Sequence, residues 1–159
     1  MIKVRAGVFE TNSSSTHSLC ITHSNLYNDM HKEIDFRMQD FGWEECKYND
    51  CQSKANYMYT ALCNNEEDDL ILILADVLRT QGIKATFEDP KDPKYSGDKA
   101  YIDHSYELND VFRDIILDEN KLLRYLFSTE SFILTGNDND DSDVEISVPY
   151  EHDEIYKGN

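Results

Sequence analysis

Proline and glycine are scarce, with three and six residues in a chain of 159. That excludes collagen-like and proline-rich architectures and argues against long flexible connectors. Basic residues are also few: 15 Lys and Arg stand against 32 Asp and Glu, for a formal net charge of −17. Such a chain repels the phosphate backbone, and direct binding of duplex nucleic acid would need a local basic patch that the sequence does not contain. Long apolar runs are missing too. The longest, Leu70 to Ala75, is far below the roughly 18 residues that mark a membrane span. Met1-Ile2-Lys3-Val4-Arg5 is followed by no apolar stretch, and Glu10 comes too early for a transit peptide. Four cysteines without a secretory leader read as reduced thiols, so the expected setting is the cytoplasm, with no membrane contact.

What the chain does contain is enough to fold. Hydrophobic residues make up 40%, and ten Tyr, seven Phe and one Trp are too many for a disordered segment. The length suits one domain over residues 1–159. The charge is lopsided: residues 1–65 carry a net −2 and residues 66–159 a net −15. A surface of that kind steers toward basic partners, including the basic grooves of nucleic-acid-binding proteins, or serves solubility alone.

Periodicity predicts strands at 2–9, 18–23 and 34–38, with the hydroxyl-rich Thr11-Asn12-Ser13-Ser14-Ser15-Thr16 as a turn between the first two. A helix is expected over 53–63 on Tyr57, Met58, Ala61 and Leu62, and a stronger one over 66–81. The second has acids in its first turn, Arg79 in its last and Gly82 just beyond. A strand at 83–88 follows, then helices at 106–117 and 119–127 with Asp118 as the N-cap of the latter. Residues 131–135 and 144–148 read as a hairpin around the polar stretch Gly136 to Asp143. Strands at both ends with helices between them predict an α+β fold: a mostly antiparallel sheet with helices packed on one face, the 66–81 helix among them.

Three groups invite chemistry. Ser14 and His17 in the Ser-rich turn, with Asp103 and His104, supply the residue types of a nucleophile, a base and an orienting carboxylate. The Gly-x-Ser-x-Gly elbow is missing, and hydroxyl clusters usually satisfy backbone groups in turns. Cys20-x-x-His23 and Cys46-x4-Cys51 offer zinc-ligand residue types at irregular spacing, with Cys20 inside an expected strand, so no metal and no cofactor are expected. The run Asn137 to Asp143 has the oxygen density of a calcium loop. It fails that pattern, with Asp143 where Gly is required and Pro149 where the bidentate carboxylate belongs. Phe41-Gly42-Trp43-Glu44 holds the only Trp and reads as a loop anchored in the core.

Arg5-x-Gly7-Val8-Phe9-Glu10-Thr11-Asn12-Ser13-Ser14-Ser15-x-His17-Ser18 resembles the opening of a group of small proteins from phages and prophages of low-GC bacteria. Phe41-Gly42-Trp43-Glu44, Tyr101-Ile102-Asp103-His104 and Ser131-Phe132-Ile133-x-Thr135-Gly136-Asn137-Asp138-Asn139 are similar to later parts of the same group. The group carries no assigned activity, so the resemblance implies a phage-type origin and transfers no catalytic residue. Two functions follow as expectations. The first is a protein that binds and inhibits a basic host or defence protein in anti-CRISPR or anti-restriction style. It would mimic nucleic acid through Glu66, Glu67, Asp68, Asp69, Asp138, Asp140, Asp141 and Asp143 rather than bind nucleic acid itself. The second is a small hydrolase or transferase built on Ser14, His17, Asp103 and His104.

Overall fold

The computed structural model describes residues 15–42, 44–91, 100–102, 105–137 and 154–158. The expected strand at 2–9, Trp43, the Asp103-His104 pair and the segment 138–148 lie outside the described residues.

Helix α1 (Cys51–Asn64) organises the rest. Asp50 caps it, its side chain accepting a hydrogen bond from the Ser53 amide at 2.8 Å. Every residue from Lys54 to Leu62 is buried. An ordinary amphipathic helix buries one stripe, so α1 is covered on all sides. Tyr57 meets Phe41 edge-on at 4.9 Å and Phe112 at 6.1 Å between ring centroids. Lys54 is fully buried, and its ammonium donates to the carbonyls of Ser128 at 2.6 Å and Ser131 at 3.1 Å.

A four-stranded antiparallel sheet lies against α1. Its order is β3 (Cys46–Tyr48), β5 (Phe132–Asn137), β1 (Ser15–Ile21), β6 (Glu154–Gly158). β1 runs between two neighbours, with Leu19 opposite Ile133 on one side and Tyr156 on the other. A second sheet pairs β2 (Glu33–Phe36) with β4 (Lys84–Phe87) in parallel, and Phe36 stacks on Phe87 at 4.8 Å. A parallel pair needs a long crossover, and here it contains β3, α1 and α2 (Asp68–Thr80). Where the chain leaves β2, buried side chains of α1 replace the ladder. The Arg37 amide donates to Asn56 Oδ1 at 3.0 Å and the Gln39 amide to Thr60 Oγ1 at 2.9 Å. Buried polar residues on α1 thus satisfy backbone groups that no strand reaches.

α2 buries Leu70, Leu74 and Leu78 and ends before Gly82, whose φ of 72° is the left-handed conformation expected after a helix. A 3-10 turn at Ser105–Leu108 leads into α3 (Asn109–Leu117), then α4 (Glu119–Phe127). Asp118 caps α4 through the Lys121 amide at 3.1 Å. β6 is pinned to the helices by Lys121, whose ammonium meets Asp114 at 2.7 Å and Glu154 at 2.9 Å. Tyr156 closes the group, donating to Glu154 at 2.5 Å.

The α+β class with a mainly antiparallel sheet is as expected. Two details differ. α2 packs against α1, α3 and β4, while α1 and α4 meet the four-stranded sheet at β1. The hairpin expected between 131–135 and 144–148 does not form over Ile133–Thr135, because β1 and β3 already occupy both edges of β5 there. Local alternation identified the strand but carried no information on its neighbours.

Candidate functional site

His17 is the one described member of the proposed hydrolytic set. It is buried on β1, and its Nδ1 lies 2.7 Å from the Tyr57 hydroxyl. Burial raises the Tyr57 phenol far above its usual range, so the hydroxyl stays protonated, and the imidazole tautomer sets which of the two donates. Ile102 and Ser105 flank Asp103 and His104, and both are tied to the end of α1. The Ile102 amide donates to Asn64 Oδ1 at 3.0 Å, and the Ser105 carbonyl accepts from Asn65 Nδ2 at 2.7 Å. Tyr57 and Asn64 are separated along α1 by about two turns, or about 10 Å. His17 and the flanks of Asp103-His104 are thus attached to different levels of the same helix. Ser14, Asp103 and His104 themselves lie outside the described residues.

The cysteines are dispersed. Cys20 lies in β1, Cys46 in β3, and Cys51 and Cys63 at opposite ends of α1, and none of the four is in a disulfide. Among the described residues no group of three or more His, Cys, Asp or Glu is arranged to hold a metal ion. Burial pushes the Cys51 thiol up to about 12 and the Cys63 thiol up to about 11. A thiol held protonated is a poor nucleophile and a poor ligand.

The acids at the start of α2 are different. Glu66, Asp68 and Asp69 are exposed, while Glu67 is half-buried and binds Asn109 at 3.1 Å and Arg113 at 3.3 Å. Glu66 has a φ of 57°, a left-handed position where glycine is the usual occupant. At the other end of α2, Gln81 hydrogen-bonds Glu119. Contacts at both ends mean that α2 and α3 lie side by side and run in the same sense. α3 and its flanks add Glu107, Asp110, Asp114, Asp118 and Glu119, all exposed. Over 66–81 and 105–119 the exposed bases are Arg79 and Arg113 alone, and each is already paired with a carboxylate. Among the described residues Asp68, Asp69 and Asp110 have no ion-pair partner.

Apolar side chains stand among these acids. Leu72 is 69% exposed, Leu117 61% and Ile73 37%. On α2 the residues three and four positions from Leu72 are Asp68, Asp69, Ala75 and Asp76. The expected set contained Glu66 to Asp69 but missed the α3 acids and the exposed leucines. The signal was present as the three- and four-residue spacing of Glu107, Asp110, Asp114 and Asp118. Asp138, Asp140, Asp141 and Asp143 lie outside the described residues.

No helix among the described residues is long and apolar enough to cross a membrane. Comparison with protein-family models, curated proteins and solved structures finds no match to this chain.

Proposed function

We propose that the protein acts by binding and inhibiting a basic protein inside a host cell, one whose own groove holds nucleic acid. It would be a phage-type inhibitor working in anti-CRISPR or anti-restriction style. The observation that carries this reading is the exposed acid set on the adjacent helices α2 and α3, almost empty of basic residues. Carboxylates held on helices present negative charge at fixed spacing, as a phosphate backbone does, and they attract the lysines and arginines that would otherwise meet phosphate. Asp138, Asp140, Asp141 and Asp143 extend the charge in sequence.

The test is competitive capture. Host proteins retained on the immobilised chain at low salt are challenged with a short DNA duplex and identified, and their association rates are measured at two ionic strengths. The expected partner is released by the duplex, and its association slows as salt screens the charge. Asp→Asn replacement at 68, 69 and 110, or at 138, 140, 141 and 143, slows association with the fold intact. Retention that duplex DNA cannot reverse, with equal rates for wild type and both variants at both salts, would refute the reading.

A further inference from the structure

The apolar residues on α2 exceed what its packing uses. Leu70, Leu74 and Leu78 form the buried stripe, and Ile71 and Val77 pack beside it. Leu72 points the opposite way. At 100° per residue it lies about 160° around the helix from Leu74, at the crest of the exposed face. Ile73 borders that crest. Asp69 and Asp76 are helical neighbours of both residues, and Asp68 is a neighbour of Leu72. The result is an apolar centre with an acidic rim, the composition of a protein interface rather than of a solubilising helix.

We propose that this crest is a docking site for a cationic amphipathic segment of a partner protein. Leu72 and Ile73 are its apolar anchors, and Asp68 and Asp69, with Asp76 shared between the partner and its own Arg79, are the rim that selects lysine and arginine. The inference rests on the acidic-binder reading above and names the kind of surface that reading requires. Charge complementarity decides the occupant. A second copy would bring the same aspartates against each other. Nucleic acid and an anionic membrane would meet like charge as well. A purely polar cationic loop would leave Leu72 in water. An amphipathic helix with apolar residues between lysines meets both requirements, since its side chains at three- and four-residue spacing can interleave with those of α2.

Two synthetic peptides of equal charge test the proposal, an amphipathic Leu/Lys helix and an oligolysine. Each is titrated into the intact protein while backbone amide resonances are followed. The expected result is that the Leu/Lys peptide binds about tenfold tighter than oligolysine or better, since even partial burial of two large apolar side chains is worth that factor. Its shifts should centre on Asp69–Asp76. Leu72→Ser/Ile73→Ser should abolish the preference while circular dichroism shows the chain still folded, because Leu72 stands largely in water and only Ile73, at 37% exposure, gives up some packing. Asp68→Asn/Asp69→Asn/Asp76→Asn should weaken both peptides. An unchanged preference in the Leu72/Ile73 variant, shifts on another face, or no binding of either peptide would overturn the docking site. If that preference persists while the Asp→Asn variant still weakens both peptides, the anchors fail and the acidic-binder reading stands. If the Asp→Asn variant binds both as wild type does, both readings fail.

Discussion

Replacing Lys54 by Met asks how much a buried charge costs this core. The ammonium is shielded from water and receives two carbonyl oxygens in exchange, those of Ser128 and Ser131. Desolvation dominates and brings its pKa from 10.5 down to about 8, opposed only in part by the charges of Asp29 and Asp50. Such a gap between the unfolded and folded chains corresponds to about 3 kcal/mol. Between pH 8 and 10.5 the unfolded chain keeps a proton that the folded chain has released, so this group makes stability rise with pH across that window. Below pH 8 the folded chain carries the full cost. From pH 7 to pH 10 the Lys54 contribution should grow by about 2.5 kcal/mol. Buried Cys51 and Tyr57 work in the opposite direction, because the folded chain holds protons that the unfolded one loses. Both groups are present in wild type and in Lys54→Met, so to first order they cancel in the difference. In Lys54→Met the Ser128 and Ser131 carbonyls lose the ammonium, with Ser128 keeping the Ser131 amide, and this adds an offset that does not vary with pH. Urea denaturation of both proteins from pH 7 to pH 10 should therefore show the stability of wild type relative to the variant rising by about 2.5 kcal/mol. A difference that stays flat would refute desolvation as the governing influence on this ammonium.

Leu74→Asp should unfold the protein, since Leu74 is fully buried within the hydrophobic core and the new carboxylate would be taken out of water there. Circular dichroism reads the outcome, and a melting temperature within about two degrees of wild type would contradict the packing of α2. Lys121→Met should cost about 1–2 kcal/mol and expose β6 to proteolysis, because the ammonium joins Asp114 to Glu154. Hydrogen bonding by Lys121 lowers the Asp114 carboxyl. Burial alone would raise Glu154, but Tyr156 and Lys121 carry it below its ordinary value. Their stabilisation is therefore present above the ordinary carboxylate values and lost as pH falls through the lowered ones, and Lys121→Met should flatten that acid limb in a melting series. Glu66→Gly should stabilise by about 1 kcal/mol, measured by urea denaturation, because it relieves a left-handed non-glycine residue. Elemental analysis of protein purified without chelator should find well under one zinc per chain, and stoichiometric zinc would overturn this reading of the dispersed cysteines.

Features written in local chemistry were legible beforehand. The α2 boundaries followed from Asp68, Asp69, Arg79 and Gly82, and the start of α4 from Asp118, because caps and end charges act within one turn. Features set by distant partners were not. β3 is Cys-Lys-Tyr in a polar stretch with no alternation, and it is a strand only because β5 lies beside it. β6 escaped for the same reason. The parallel pairing of β2 with β4 left no mark in either strand. For α1, Tyr57, Met58, Ala61 and Leu62 suggested one apolar face. The burial of Lys54, Asn56 and Thr60 depends on carbonyls and amides brought in by other segments. In the candidate site Glu66 to Asp69 stood out as a run, whereas the α3 acids and exposed Leu72 became a site only once the two helices were side by side.

The position of β1 has a consequence for how the chain is made. It is the earliest of the described strands to be synthesised, yet both of its neighbours, β5 and β6, come from the far end. The buried bond from the Thr22 amide to Ser131 Oγ spans 109 residues. On the ribosome, therefore, the α1–α2 region can begin to collapse while β1 still presents both its edges, and the antiparallel sheet closes only after β6 has emerged. Closure over so long a loop is slow compared with helix formation. Until it happens, Leu19 and Ile21 remain open to pairing with other strands, and losing β6 would restore one bare edge to β1 in the folded protein.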